Sequence, residues 1–153
     1  MPRVNALYAA FDRGQAAKDI AGVLAFARST AGSNGRAGLM GYCMGGLMAF
    51  LTTARHGADA TVAYYPGQAE LYLGEAEAVS TPMIVHLGEE DEYISHDAQR
   101  AIREAFAANG SVTVYSYPGC SHAFARHSGD DYDAAAAALA NGRTWDFLDA
   151  KLK

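Results

Sequence analysis

Four short apolar runs recur along the chain, separated by stretches whose apolar positions fall three and four residues apart. Arg36-Ala37-Gly38-Leu39-Met40, Ala60–Tyr64, Met83–Leu87 and Val112–Tyr115 read as strands, the third apolar throughout, as buried parallel strands are. From Gln15, the spacing of Ile20, Val23, Leu24 and Ala27 predicts an amphipathic helix that Gly32, Asn34 and Gly35 end. Leu47–Ala54 reads as a second helix closing near His56-Gly57. Ser95 caps a third, with Ala98, Ala101, Ile102, Ala105 and Phe106 as its core face and Asn109-Gly110 as its stop. An alanine-rich helix is expected from about Asp131 to Lys151, with Leu139, Trp145, Leu148 and Leu152 on one side and a weak point at Asn141-Gly142. Residues 1–14 are expected to be irregular, Pro2 and Gly14 acting as breakers, with Leu7, Tyr8 and Phe11 packing that segment onto something larger. Residues 68–80 read as a short helix and a loop. This alternation predicts an α/β fold, a mainly parallel sheet of about four strands flanked by helices on both faces, in one domain over 1–153.

Composition removes several classes of function. The chain is half apolar and 19% charged, an ordinary globular balance, and carries a net charge of -5. Its lysines and arginines form no runs, so neither nucleic acid nor an anionic membrane is an expected partner. No apolar run approaches the ~20 residues that span a bilayer, and the N-terminus lacks a secretory pattern; a cytoplasmic protein is expected. Cys43 and Cys120 are then expected to stay reduced, and no metal-ligand spacing or cofactor motif is found.

Chemistry and backbone geometry are specified together at Gly41-Tyr42-Cys43-Met44-Gly45-Gly46. G-x-C-x-G is the cysteine form of the nucleophile elbow, a strand-to-helix turn sharp enough to require small residues two before and two after the nucleophile. Gly46 would let the helix pack closely. The turn places the sulfur at a helix N-terminus, where dipole and free N–H groups favour thiolate, and the N–H of Met44 is placed to donate to an oxyanion. Buried structural cysteine is the alternative reading of the motif alone. Asp91 follows the third strand and His122 the fourth, at the carboxyl ends where such sheets bind ligands. Nucleophile, acid, histidine is the chain order of the α/β-hydrolase triad, so His122 becomes the candidate base and Asp91 its orienting acid. His56 reads as a helix C-terminal residue, His86 as a strand residue, and His96 and His127 as surface.

Three motifs together, G-Y-C-M-G-G at 41–46, G-E-E-D at 88–91 and Y-P-G-C-S-H-A-F-A-R at 117–126, resemble the dienelactone hydrolase (carboxymethylenebutenolidase) family. Ser-Asn-Gly before the elbow strand and Ala-Ala-Ala-Leu-Ala-Asn near the end extend the match to nearly the whole chain. The resemblance implies the C-terminal portion of an α/β-hydrolase fold. It also implies hydrolysis of a small carboxylate-bearing enol lactone or ester, in aromatic-compound degradation, through Cys43, His122 and Asp91. It makes Arg126 the carboxylate-binding residue, chemically apt because its planar fork can grip a carboxylate bidentately, and Tyr65 and Tyr8 are assigned to substrate binding beside it.

The pattern also departs from the family. Members carry an N-terminal part before the position matching Met1, with the first half of the sheet, a glutamate that controls the nucleophile's protonation and the second oxyanion N–H. Arg3 cannot be matched to the family's second carboxylate-binding arginine, Ser121 stands where glycine is usual, and Cys120 adds a thiol. An N-terminally truncated domain is therefore expected, its elbow strand at a sheet edge covered by a second copy or a complementing chain, or left bare in a poorly behaved fragment. A catalytically inactive relative serving as a binding or oligomerising module is the alternative.

Overall fold

The computed structural model of the chain describes residues 2–153. In order come α1 (Pro2–Ala9), α2 (Arg13–Ser29), β1 (Gly38–Tyr42), α3 (Met44–His56), β2 (Ala60–Tyr64), a 3-10 segment (Ala69–Ala78), β3 (Met83–Gly88), α4 (His96–Ala107), β4 (Val112–Tyr117) and α5 (Ala134–Leu152). The strands form one parallel sheet in the order β1-β2-β3-β4.

Side-chain alternation assigns the helices to faces. Thr61 of β2 shares a buried hydroxyl hydrogen bond with Thr53 of α3, 2.6 Å, so odd-numbered β2 positions face α3. Tyr64 points the other way, its hydroxyl 2.8 Å from Asn141 and 2.7 Å from Thr144 of α5. α2 and α4 pack with α3, the latter through Phe50 against Phe106, while α5 covers the opposite face. Across that face the register lines up Tyr42, Tyr64, His86 and Tyr115, one per strand, with successive ring centroids 4.7, 4.4 and 5.6 Å apart.

Several expectations are corrected. Residues 2–9 are helical rather than irregular. β1 starts two residues later than Arg36 and runs on to Tyr42, because the backbone N–H groups of Arg36 and Ala37 donate outside the sheet, to Asn34 Oδ1 and the Asp59 carboxylate. α3 starts at Met44, immediately after Cys43, which is its N-cap. On α2 the buried positions are Ala17 and Leu24, whereas Val23 and Ala27 face outward. On α5 the buried positions are Ala137, Ala140 and Thr144, while Leu139 and Trp145 are 51% and 58% exposed. The ring row on the sheet explains this: it fills the space beneath α5, so small residues face it. Among the described residues β1 pairs with β2 alone, and Met40 and Tyr42 stand 42% and 43% exposed beside that open edge.

Candidate active site

Cys43 sits between β1 and α3 with φ 52° and ψ -119°, a conformation a non-glycine residue takes only when its surroundings enforce it. The enforcement is visible. Its N–H donates to the Tyr64 carbonyl at 3.0 Å, and its carbonyl accepts the first helical bond from Leu47 at 3.1 Å. A Cβ on Gly41 would strike the backbone of Gly45, and one on Gly46 would come within 2.7 Å of the Tyr64 carbonyl. Gly45 itself has open space around a Cβ, so its contribution is the bare backbone that passes Gly41 rather than room for its own side chain.

Asp91 and His122, 31 residues apart, meet behind the sulfur. The Asp91 side chain is fully buried; its Oδ1 accepts from the N–H groups of Tyr93 and Ile94 at 2.8 and 3.0 Å, which leaves Oδ2 for His122 Nδ1 at 2.7 Å. His122 is held from both sides, with Tyr65 and Tyr93 at ring-centroid distances of 4.9 and 4.8 Å. Its side chain is 8% exposed, and its buried Nε2 has no hydrogen-bond partner of its own among the described residues. Ala123, at φ 59°, bends the chain sharply just after it.

The electrostatics follow from this placement. His122 lowers the Cys43 thiol below its usual value against the opposing cost of burial, and the N–H of Met44 adds to the effect. Burial works against a charged imidazole at His122, but the hydrogen bond to Asp91 and the nearby Cys43 sulfur outweigh it and raise the pKa to about 9. Cys120, buried two residues before His122, is shifted the other way by desolvation. Both cysteines are free thiols.

Cys43 and His122 open into a cavity of about 410 Å³ walled by Tyr42, Tyr65, Ala125 and Arg126. Of the predicted site residues, Cys43, His122, Arg126 and Tyr65 meet at this cavity, with Asp91 behind His122 and the Met44 N–H at the sulfur. Tyr8 does not join them: it lies on α1 with the Arg13 guanidinium over its ring, 5.6 Å away, and lines no part of that cavity. Sequence reasoning missed Tyr42, inside the elbow motif itself, and Glu92 and Tyr93, which follow the acid. It also missed a buried polar cluster in which His86 bonds Tyr117 and Thr144 at 2.8 and 3.0 Å. The acidic run at 89–92 and the aromatic at 93 were the available signals. Among the described residues no group of three His, Cys, Asp or Glu side chains could hold a metal, and no helix is long and apolar enough to cross a membrane.

A parallel sheet flanked by helices, with a strained strand-to-helix turn carrying the candidate nucleophile, places the chain in the α/β-hydrolase class. Residues 4–152 match the dienelactone hydrolase family, and the chain belongs to it. It is 39% identical over 142 residues to a carboxymethylenebutenolidase of Pseudomonas putida, covering 93% of this chain and 60% of that protein. To carboxymethylenebutenolidase 1 of Cupriavidus pinatubonensis it is 35% identical over 143 residues, covering 94% and 61%. The chain thus spans about 60% of the length of the curated relatives it matches. Among solved structures, a dienelactone-hydrolase-like promiscuous phosphotriesterase from metagenomic libraries superposes with a TM-score of 0.78 at 19% identity, covering 99% of this chain and 67% of that one. A Klebsiella pneumoniae protein described provisionally as a dienelactone hydrolase gives 0.79 at 24% identity, covering 90% and 61%. At those identities the likeness establishes the fold.

Proposed function

We propose that this chain hydrolyses small carboxylate-bearing enol lactones or esters through an acyl-cysteine intermediate on Cys43. The observation that carries this reading is the 2.7 Å Asp91–His122 pair, whose far nitrogen stands unpartnered in the same cavity as a strained cysteine. In the first step the Cys43 thiolate attacks the carbonyl carbon and the C–S bond forms, the oxyanion taking the Met44 N–H as one donor. The C–O bond then breaks and the departing oxygen takes the proton His122 holds on Nε2; in a lactone it remains tethered to the acyl group. Water next gives a proton to Nε2 while its oxygen attacks the acyl carbon, the C–S bond breaks, and the acid leaves. Asp91 keeps the imidazole turned to the sulfur and stabilises its charge. Arg126 and Tyr65 are the substrate-binding candidates, a guanidinium for the carboxylate and an aromatic wall for the apolar body. That relatives of this chain are carboxymethylenebutenolidases supports this substrate class; a role in aromatic-compound degradation is part of the same proposal, and the two free thiols support a reducing, cytoplasmic setting.

We further infer that β1 is covered in the working protein by additional polypeptide, either a second copy or a complementing chain. Its unpaired edge and the exposed Met40 and Tyr42 support that. Mass spectrometry after mixing with an activated ester tests the chemistry. The expected result is an adduct on Cys43 that is absent in Cys43→Ala and accumulates in His122→Ala. Neither adduct nor turnover would instead indicate an inactive binding or oligomerising module.

A further inference from the structure

The space around Cys43 has two lobes of unlike character. The first, described above, is walled by tyrosines and alanines. The second, about 270 Å³, shares Cys43, His122, Ala123 and Arg126 with the first and is otherwise bounded by Glu92, Tyr93 and Asp131. Glu92 uses one carboxylate oxygen to accept the His122 backbone N–H at 3.2 Å, and Asp131 has no hydrogen-bond or ion-pair partner among the described residues. The Arg126 guanidinium folds toward Gly129 at the junction of the two lobes and is in no ion pair with either carboxylate. Two carboxylates against one guanidinium leave this lobe net negative. The group that faces it from below is the buried, unpartnered Nε2 of His122, the atom that would protonate a departing alcohol. Tyr93, 70% exposed, lines the same space and packs edge-to-face with His122 at a centroid distance of 4.8 Å.

We propose that the second lobe is a leaving-group subsite that prefers esters of cationic alcohols, the ammonium group lying against Tyr93 between Glu92 and Asp131. This deepens the hydrolase reading and rests on it. A group leaving from a carbonyl bound to Sγ must pass His122 Nε2 to collect its proton, and on that path lies acidic and aromatic surface, the surroundings that stabilise a substituted ammonium. A substrate whose acyl arm carries a carboxylate would engage Arg126, neutralising the guanidinium that opposes binding there, while the charge of the His122 imidazolium is offset by the Cys43 thiolate beside it.

The test compares acetylcholine with its neutral carbon isostere, 3,3-dimethylbutyl acetate, by proton release at constant pH and low ionic strength. At a partly exposed site, kcat/KM should favour the cationic ester by about five- to tenfold. The ratio should fall toward one in Asp131→Asn and in Asp131→Asn with Glu92→Gln. Taking a ratio cancels any common effect of losing the Glu92 contact to His122. Should both esters prove too unreactive, choline and 3,3-dimethylbutanol are compared as inhibitors of activated-ester hydrolysis, with choline expected to bind tighter.

A ratio at or below one, equal inhibition, or a preference that survives the double substitution would overturn the proposal. So would a finding that the carboxylates serve only to hold Arg126, seen as weakened use of carboxylate-bearing esters in Asp131→Asn with no cationic preference in the unsubstituted protein. Acylation of Cys43 by the activated ester without a cationic preference defeats this inference alone; absence of acylation defeats the hydrolase reading beneath it.

Discussion

Gly88, the last residue of β3, lies directly under the carbonyl of Cys120, with the Ser121 carbonyl 2.7 Å from where a Cβ would stand. The segment that delivers His122 therefore rests on bare backbone. In Gly88→Ala the Cys120–Ser121 peptide must lift, and His122 with it, away from Asp91 and Cys43. Overpacking of this kind costs about 1–3 kcal/mol in stability. Displacing a reacting group by ~1 Å costs about a hundredfold in rate. The expected outcome is a folded protein with a slightly lowered Tm and a kcat reduced roughly a hundredfold, measured by thermal unfolding and activated-ester turnover. A variant with wild-type kcat would show that the turn does not depend on this contact.

Thiolate at Cys43 is favoured by an imidazolium whose own pKa has risen to about 9. The rate of alkylation by iodoacetamide should therefore rise at a pH below the ordinary thiol range, and in His122→Ala the rise should move up into that range. Asp91→Asn removes the main support of the imidazolium, so burial then dominates and the His122 pKa falls. The basic limb of the turnover profile near pH 9 should shift down with it, and kcat should drop by about 10³–10⁴-fold. For stability the sign is fixed by the raised pKa. Charged His122 stabilises the fold fully below about pH 6.5, its ordinary value, and that contribution is lost as the pH rises through about 9. Alkylation profiles that coincide for the parent and His122→Ala would dissolve the pair.

Most of the site was legible because its parts fall at strand ends, and strands made of unbroken apolar residues are easy to place. Val62, Ile84 and Val85 are all buried where the apolar runs put them. The three reactive side chains then follow from topology, since parallel strands deliver their C-terminal loops to one rim. Less was legible where burial depends on a partner's shape. The outward turn of Leu139 and Trp145 on α5 could not be read from the helix, because what excludes them is the ring row contributed by four different strands. Likewise Glu92 and Asp131 look like ordinary solvated acids until the loops after β3 and β4 bring them to one lobe.

Thr144 ties that ring row to α5: its hydroxyl lies 2.7 Å from the Tyr64 hydroxyl and 3.0 Å from His86 Nε2. Burial, helped by the nearby Arg143 guanidinium, pushes His86 down to about 3, so the imidazole is neutral in the fold and Nδ1 is occupied by the Tyr117 hydroxyl. Thr144→Val keeps the volume and deletes the hydroxyl, which strands a buried ring nitrogen, whereas Tyr64 retains Asn141. Leaving one buried polar atom unpaired costs about 1–3 kcal/mol, to be read as a lower denaturation midpoint with an unchanged m-value. Thr144 lines neither lobe, and Tyr64, whose carbonyl holds the Cys43 N–H, keeps its bond to Asn141, so kcat for the activated ester should stay within about twofold of the parent. The depressed pKa also sets an acid window opposite to that of His122. Neutral His86 contributes its stability fully above about pH 6.5 and loses it as the pH falls toward 3, because the unfolded chain binds the proton first. Denaturant midpoints measured between pH 7 and 4 should therefore fall more steeply in the parent than in His86→Phe; parallel curves would mean that the buried imidazole does not govern acid unfolding.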